Sequence, residues 1–184
     1  MAKAKKAARG ATGRPKKPAA RPAAKKTSAI PKGYHSVQAY LTVADGTKAL
    51  EFYGRAFGAK VKERMPGPGG KLMHAEFTIG DSVVMMSDEF TNMPDTPRSP
   101  QTLGGATGSL MLYVPDVDAA FKRATDAGCK ALMPPSDMFW GDRFGKVMDP
   151  FGHHWGLATH KEDVSPAEMR KRAEAFTAQM GKPS

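Results

Sequence analysis

The sequence predicts an α+β fold made of two tandem βαβββ modules, with a basic N-terminal tail and a C-terminal helix. The main observation is an internal repeat. The pattern Val-x-Asp, followed by a helical stripe of apolar residues and a glycine, begins at Val43 and again at Val114. Around each copy, stretches of alternating apolar and polar residues predict the strands. A βαβββ unit of this size cannot bury its sheet and helix alone, so we expect the two units to pair through their sheets.

Residues 1–32 form the basic tail. They hold eleven Lys or Arg and no acidic residue, in a chain of 184 residues with a formal net charge of +10. The other residues contain 17 basic and 18 acidic side chains, so the positive charge belongs to the tail. Ala, Lys, Arg and Pro offer too little apolar surface to offset the entropy of ordering, which predicts disorder. The tail could hold nucleic acid non-specifically by counterion release, or could be a solubilising extension without a dedicated partner.

Residues 33–162 form the predicted domain. Its first module contains a helix at 46–57, with an apolar stripe made of Ala49, Leu50, Tyr53 and Phe57. The strands of this module are predicted at 36–43, 59–65, 70–79 and 82–88. Residues 89–107 are rich in Pro and Gly, and we expect a long loop of the kind that often serves for binding.

The second module repeats this order. Its strands are predicted at 108–114, 129–134, 138–148 and 153–160. Its helix, at 116–127, has a stripe made of Val117, Ala120, Phe121 and Ala124. Residues 163–184 follow the domain, where Ser165 and Pro166 supply an N-cap and a proline at the first helical position. They predict a C-terminal helix that reaches about Gln179.

The cysteine content and the hydropathy pattern indicate the compartment. The single cysteine, Cys129, has no partner for an intramolecular disulfide and fits a reducing compartment. No apolar run is long enough to span a bilayer, and the tail lacks the apolar core of a secretory signal. We therefore expect a cytoplasmic protein without a membrane partner.

The segment from Phe139 to Trp155 is rich in aromatic residues. It holds two tryptophans, three phenylalanines and Arg143 around an Asp-Pro-Phe-Gly turn, a composition that is typical of small-molecule pockets. The segment resembles the C-terminal signature of PhnB-like proteins of the vicinal oxygen chelate superfamily, which includes glyoxalase I, bleomycin-resistance proteins and extradiol dioxygenases. Residues 40–53 and 84–88 are also similar to this superfamily. The resemblance spans residues 33–160 and implies a shared cup between the modules and a homodimer.

The resemblance also implies where a metal ion would lie. Metal-dependent members of the superfamily carry one ligand on the first and one on the last strand of each module. The corresponding positions here are Gln38, Met85, Ser109 and Gly156. Of these four residues, only Gln38 is of a type that serves as a ligand in some members. A metal of this kind needs several His or carboxylate donors, and these four residues do not supply them. We therefore expect no metal and no other cofactor.

Without a metal, the pocket would depend on polar and aromatic side chains. Arg143 can bind an anionic group through two hydrogen bonds, and Trp140 offers a stacking surface. The alternative is an ion pair of Arg143 with Asp142 or a lysine that only fixes the turn. The residues predicted to line the pocket are Gln38, His74, Glu76, Ser87, Tyr113, Trp140, Arg143 and Trp155.

Two of these residues form a possible acid–base pair. His74 and Glu76 are two residues apart in a predicted strand, so their side chains share one face of the sheet. If that face points into the cup, Glu76 could orient His74 as a base. If it points outward, the pair is an ordinary polar surface.

Three functions remain open. The first is a PhnB-like protein that binds a small organic molecule in a metal-free cup. The second is an enzyme, a lyase, isomerase or dioxygenase relative that holds a divalent metal through Gln38, His74 and Glu76. The third is a protein tethered to nucleic acid through residues 1–32. The sequence identifies neither the ligand nor a reaction.

Overall fold

A computed structural model describes residues 27–180 of the chain. The predicted disordered tail lies outside the described residues, except for residues 27–32. Within the described part the chain forms two four-stranded sheets, four α-helices and one turn of 3-10 helix at Pro68–Gly70. None of these helices is both long enough and apolar enough to cross a membrane.

The first module contains β1 (Ala39–Val43), α1 (Gly46–Phe57), β2 (Lys60–Pro66), β3 (Leu72–Ile79) and β4 (Ser82–Asp88). Its strands lie in the order β1-β4-β3-β2. β1 is parallel to β4, and the other pairs are antiparallel. The crossover from β1 to its parallel partner passes through the helix, as a parallel pair requires.

The second module follows a connection that contains a short helix, α2 (Pro100–Leu103). It consists of β5 (Ser109–Tyr113), α3 (Val117–Ala127), β6 (Lys130–Asp137), β7 (Asp142–Met148) and β8 (His154–His160). The order β5-β8-β7-β6 repeats that of the first sheet. A last helix, α4, covers Pro166–Met180. The predicted fold class, two tandem βαβββ modules with a C-terminal helix, is confirmed.

The repeated Asp and Gly residues delimit the two equivalent helices. Asp45 accepts a hydrogen bond from Lys48 N, and Asp116 accepts one from Ala119 N, both at 3.0 Å. Gly58 and Gly128 end the helices with φ of 70° and 119°, a conformation that glycine adopts without strain. The sequence repeat therefore marks both ends of α1 and α3.

The two modules share one hydrophobic core. Tyr53 of α1 packs on Phe77 of the first sheet and on Trp155 of the second, with ring centroids 5.4 and 5.7 Å apart. Phe57 lies 4.4 Å from the Trp155 ring. α1 and α3 also contact each other. The stripe of α1 therefore covers part of both sheets, and α3 packs on α1, which is why neither module buries its apolar surface alone.

Several boundaries differ from the prediction; β6, for example, ends at Asp137 rather than at 134. β1 begins at Ala39 rather than at 36, because residues 34–38 bend and His35 N donates to Gln38 Oε1 at 3.3 Å. β7 begins at Asp142 rather than at 138, because Met138–Gly141 form a turn closed by Met138 N and Asp142 O at 2.8 Å. The predicted loop at 89–107 contains α2, which Ser99 caps through Thr102 N.

The C-terminal segment is fastened to the turn that precedes β7. The amides of Lys161 and Glu162 both donate to Gly141 O, at 2.9 and 3.0 Å. Gly141 has a φ of 98°, and a Cβ there would collide with the backbone of Glu162. The ring of Phe176 on α4 lies 5.2 Å from that of Phe139. α4 thus packs on the β6–β7 turn.

Candidate functional site

The first sheet has one face on the helices and one open face. Leu41, Phe77 and Met86 point to the helices and are buried in the core. Because side chains alternate along a strand, their neighbours point the other way. Tyr40, Met85 and Glu76 are register partners and form a row across β1, β4 and β3 on this open face.

A chain of polar side chains crosses the open face. Tyr40 Oη lies 3.3 Å from His74 Nδ1, and His74 Nε2 lies 3.5 Å from Glu76 Oε1. Lys62 Nζ binds the other oxygen of Glu76 at 3.2 Å, and the Tyr34 hydroxyl donates to that same oxygen. The predicted pair of His74 and Glu76 is therefore part of a larger cluster that ends at Tyr40.

Neighbouring side chains keep the Glu76 carboxyl group ionised. The hydrogen bond from Tyr34 is the main cause that lowers the pKa of Glu76, and the hydrogen bonds from Lys62 and His74 act in the same direction. Partial burial opposes them and is outweighed. The pKa of Lys62 is raised mainly by its hydrogen bond with Tyr34 and, to a smaller extent, by its hydrogen bond with Glu76. Glu76 is thus a stable anion beside His74.

A cleft of about 780 Å³ opens beside this cluster. Tyr40, half exposed at 50 %, stands at its edge, and Ser87 contributes a hydroxyl. The apolar part of the lining comes from Met73, Phe90 and Met93, and Lys71 adds a positive charge. Sulfur and aromatic side chains adapt to the shape of an organic ligand, so this cleft has the composition of a small-molecule site.

The segment after β4 lines one side of the cleft and is fixed by hydrogen bonds. Glu89 accepts hydrogen bonds from Ser99 N at 2.9 Å and from the Thr102 hydroxyl at 2.7 Å. Burial alone would raise the pKa of Glu89, but these bonds outweigh it and the pKa is lowered. Lys71 Nζ donates to Glu89 O at 2.8 Å and lies over the Phe90 ring. α2 and the segment before it are therefore fixed against the first module.

The second sheet carries a different cluster on its open face. Asp142, 4 % exposed, accepts hydrogen bonds from the Tyr113 hydroxyl and from Trp140 Nε1, each at 3.1 Å. His160 Nδ1 lies 2.7 Å from its other oxygen, and His160 Nε2 lies 3.0 Å from Asp163. The carboxylate of Asp142 is the main cause that raises the pKa of both Tyr113 and His160.

Two of the predicted pocket residues lie on the opposite side of this sheet. Trp155 is 2 % exposed, and its Nε1 donates to Asp149 within the core. Arg143 binds Asp118 of α3 through two hydrogen bonds of 2.7 and 2.8 Å and Asp137 through a third of 3.2 Å. Its guanidinium therefore pairs with Asp118 and Asp137 rather than with Asp142. These contacts fasten β7 to α3 and β6.

The remaining predicted residues fall into three places. His74, Glu76 and Ser87 lie on the open face of the first sheet. Tyr113 and Trp140 meet at Asp142 on the second sheet. Gln38 lines a separate cleft of about 370 Å³ with Ser109, and among residues 27–180 its Nε2 is buried without a hydrogen-bond partner. The eight residues therefore do not form one pocket within a single copy of the chain.

The positions that correspond to metal ligands do not fit a metal. Met111 Sδ and Phe144 Cε2 both lie 2.8 Å from where a Cβ at Gly156 would stand. Any side chain at Gly156 would have to displace these two side-chain ends, and glycine itself offers no ligand atom in its side chain. Met85 and Ser109 are weak donors for a borderline metal. In the described part of the chain, no three His, Cys, Asp or Glu residues are grouped as a metal set.

Sequence reasoning missed three residues of the first cluster. Tyr40 had a signal, since alternation along β1 places it opposite the buried Leu41 and Val43. Lys62 also lies in a predicted strand, but a register shift beside it sets its direction. Tyr34 precedes β1 in irregular structure and reaches Glu76 across 42 positions of sequence, a contact without a local sequence signal.

Comparisons with known proteins agree with the fold. The family model of the Glyoxalase/Bleomycin resistance protein/Dioxygenase superfamily matches residues 34–157. An uncharacterized protein of Mycobacterium tuberculosis (strain H37Rv) is 42 % identical over 132 residues, which cover 71 % of this chain and 78 % of the relative. The mycobacterial sequence thus spans most of the same domain.

Two solved structures have the same architecture. TioX from Micromonospora sp. ML1 is 31 % identical, with a TM-score of 0.53 over 68 % of this chain and 99 % of TioX. A PhnB protein from Bacillus cereus, described as a putative 3-demethylubiquinone-9 3-methyltransferase, is 18 % identical, with a TM-score of 0.52 over 68 % of this chain and 99 % of that one; at this identity it supports the fold alone. With the family model matching most of the chain, the protein belongs to the glyoxalase/bleomycin resistance protein/dioxygenase superfamily.

Proposed function

We propose that this protein is a PhnB-like member of the superfamily that binds a small organic molecule without a metal ion. The observation that carries the proposal is the cleft beside Tyr40. Its volume is about 780 Å³, and its lining combines Met73, Phe90 and Met93 with the hydroxyls of Tyr40 and Ser87. An apolar lining with a few fixed polar groups is the usual composition of a small-molecule site.

The donor chemistry supports a metal-free site. Glyoxalase- and dioxygenase-type reactions in this superfamily would need metal ligands at Met85, Ser109 and Gly156. Thioether and hydroxyl groups are poor donors there, and Gly156 is closely covered by Met111 and Phe144. The alternative set of Gln38, His74 and Glu76 is divided, since neither His74 nor Glu76 lines the cleft that Gln38 lines.

A matched pair of methionines tests the cleft. Met73 lines it and is 45 % exposed, whereas Met65 on β2 is 44 % exposed and lies outside its lining. Native mass spectrometry of protein purified without a metal-affinity column identifies the retained molecule. We expect Met73→Ala to weaken its binding about tenfold, or ~1.4 kcal/mol, and Met65→Ala to leave it unchanged. Equal effects of both changes would refute the cleft.

A second copy of the chain is the partner we propose. Met111 and Tyr113 on the open face of the second sheet are 47 % and 60 % exposed. Large apolar side chains that cluster on an exposed face are typical of protein interfaces. A homodimer would cover them and would bring residues of two chains to one cup, as the resemblance to the superfamily implies.

The tail supports a second candidate function, retention on nucleic acid. Its eleven cations stand in a segment without an acidic residue. Binding through so many phosphate contacts should weaken steeply as the salt concentration rises. We expect a chain that lacks residues 1–32 to lose retention on DNA at low salt. Equal retention of the shortened chain would place the nucleic-acid site elsewhere.

A cytoplasmic location is the setting that we propose for this function. Burial raises the pKa of the Cys129 thiol to about 12, with a smaller contribution from Asp149. The thiol therefore stays protonated and inert, and the described part of the chain offers no other cysteine for a disulfide. This chemistry fits a reducing compartment.

A further inference from the structure

The lining of the cleft beside Tyr40 contains one cationic and one anionic side chain, Lys71 and Asp88. The other lining residues within 27–180 are uncharged. A site that presents a free charge to its ligand selects a ligand of the opposite charge. The contacts of Lys71 and Asp88 therefore determine which charge the cleft prefers in a ligand.

Asp88 is engaged by the backbone of its own module. It is 6 % exposed, and both of its carboxylate oxygens accept hydrogen bonds. The amide of Gly46, at the start of α1, donates to one oxygen, and the amide of Leu72, at the start of β3, donates to the other at 2.7 Å. Hydrogen bonds from backbone amides to a carboxylate are charge-assisted and strong. Asp88 therefore fastens α1 and β3 and offers little of its charge to a ligand.

Lys71 is engaged by the segment that follows β4. Its Nζ donates to Glu89 O at 2.8 Å and lies 5.7 Å from the centroid of the Phe90 ring. A carbonyl oxygen and the face of an aromatic ring both attract a cation. An anionic ligand would compete with these contacts. It would also meet the field of Asp88, which is opposite in sign to that of Lys71 and partly cancels it.

The uncharged side chains of the lining suit an uncharged ligand. Met73, Phe90 and Met93 are apolar. Ser87 and Asn92 add a hydroxyl and an amide, which can form hydrogen bonds. An ion that moves from water onto such a surface loses hydration that apolar side chains do not replace, whereas an uncharged molecule loses much less. The volume of about 780 Å³ lies in the upper part of the range of clefts that hold drug-sized ligands.

We infer that the cleft selects an uncharged organic molecule, with an apolar body and a hydrogen-bonding group, over an anion or a cation of the same shape. This inference rests on the proposed function, since it names the chemical class of ligand for the same cleft. The charged residues of the lining hold the frame of the cleft in place, and the uncharged residues meet the ligand. No covalent bond changes in the ligand.

Three probes of one shape test this selection. At neutral pH biphenyl-4-carboxamide is uncharged, biphenyl-4-carboxylate is an anion and biphenyl-4-carboxamidine is a cation. Isothermal titration calorimetry at physiological ionic strength gives the Kd of each probe, and this salt screens the charges of the basic tail. Binding is assigned to the cleft where Met73→Ala weakens it and Met65→Ala does not. We expect the carboxamide to bind about tenfold more tightly than either ion.

A change of charge at Lys71 should alter the selection. Lys71→Met removes the cation and leaves Asp88 as the only charge that residues 27–180 place in the lining. We expect the ratio of the Kd values of amidine and carboxamide to shift about three- to tenfold in favour of the amidine. The ratio is used because a looser segment after β4 would weaken all three probes alike. The control is Lys60→Met, at an exposed lysine of β2 outside the lining, which should keep the natural ratio.

The outcomes distinguish this inference from the proposed function. A carboxylate or amidine that binds through Met73 as tightly as the carboxamide overturns the inference and leaves the proposed cleft standing. An unchanged ratio in Lys71→Met overturns the balance of charges on which the inference rests. If native mass spectrometry finds a molecule retained through Met73, an uncharged one supports the inference and a charged one overturns it. If Met73→Ala weakens neither the probes nor a retained molecule, the proposed cleft itself is refuted.

Discussion

Asp149 is the carboxylate at which the two modules are joined. Its oxygens accept hydrogen bonds from Tyr53 on α1 at 3.0 Å, from Trp155 Nε1 at 2.9 Å, and from the amides of Phe151 and His153, both at 2.9 Å. Asp149 is only 2 % exposed. Burial, followed by the charge of Asp149, raises the pKa of Tyr53 well above its usual value, so Tyr53 remains a donor.

Replacing Asp149 by Asn should destabilise the whole domain. The amide retains one oxygen and turns an NH₂ group towards groups that themselves donate, leaving buried donors unpaired. We expect the free energy of unfolding to fall by about 2–4 kcal/mol, measured by urea denaturation. The control is Asp126→Asn, which removes an exposed pair with Lys122 on α3 and should change little. Equal losses would show that Asp149 has no special role.

The prediction that no metal binds can be tested by adding a ligand at Gly156. Restoring a ligand by Gly156→Glu would push its Cβ against Met111 and Phe144. Overpacking of this kind costs about 1–3 kcal/mol, so we expect a lower melting temperature and no stoichiometric nickel or zinc by elemental analysis. Ser109→Glu, at an exposed ligand position, should fold normally. A tightly bound metal in the Gly156→Glu variant would contradict the expectation of a metal-free site.

At the scale of elements, the titratable side chain of His160 links the segment before α4 to the second sheet, through Asp163 and Asp142. The hydrogen bonds with Asp142 and then Asp163 raise the pKa of His160. Because the pKa in the folded chain exceeds that of the unfolded chain, this stabilisation is complete below the unfolded value. It is lost as the pH rises through the raised folded value. The charged form therefore holds the segment before α4 in acid and neutral solution.

Limited proteolysis within α4 should follow this titration. We expect cleavage to become faster as the pH rises above the ordinary range of histidine, about 6.5, because the pair with Asp163 is then lost. The protease must have a flat activity profile, checked on an unstructured peptide. His160→Gln should be cleaved at one rate across this range. A natural chain whose cleavage is also independent of pH would contradict the role of His160.

The elements that the sequence predicted are those with local signals. Asp45 and Asp116 start the two helices, and glycines end them, so periodicity and capping sufficed. α2 was missed although Ser99, Pro100 and Gly104 are a cap, a first-turn proline and an end signal, because they lie among other prolines and glycines. Arg143 was predicted to line a pocket with Trp140, yet Trp140 meets Asp142 while Arg143, the next residue of the strand, points to the opposite face.

The candidate site was less predictable because its contacts cross the chain. Alternation could assign Tyr40 to a face, but it could not show that Tyr34 and Lys62 meet at Glu76. The bend before β1 brings Tyr34 there, and the register shift beside Lys62 sets its side chain. Such irregular backbone carries no periodic signal. The sequence could therefore predict which face of a regular strand a side chain occupies, but not the clusters that form at the strand ends.

At the scale of the whole molecule, the exposed apolar residues predict association. Met111 and Tyr113 stay 47 % and 60 % exposed among residues 27–180 of one chain. We expect sedimentation velocity to give the mass of a dimer, and Met111→Glu with Tyr113→Glu to shift it to that of a monomer with an unchanged circular dichroism spectrum. Arg64→Glu, an exposed change on the first sheet, is the control. A monomeric natural chain would refute the dimer.

The connection between the modules has a consequence for chain continuity. Residues 91–95 are exposed, whereas Tyr53, Phe77 and Trp155 pack across the two halves. The covalent link at this point serves mainly to keep the halves at high local concentration. A chain opened there, with each fragment produced separately, should remain unstructured in isolation and reassemble on mixing. The two modules would then act as a complementing pair, with circular dichroism of the separate and mixed fragments as the measurement.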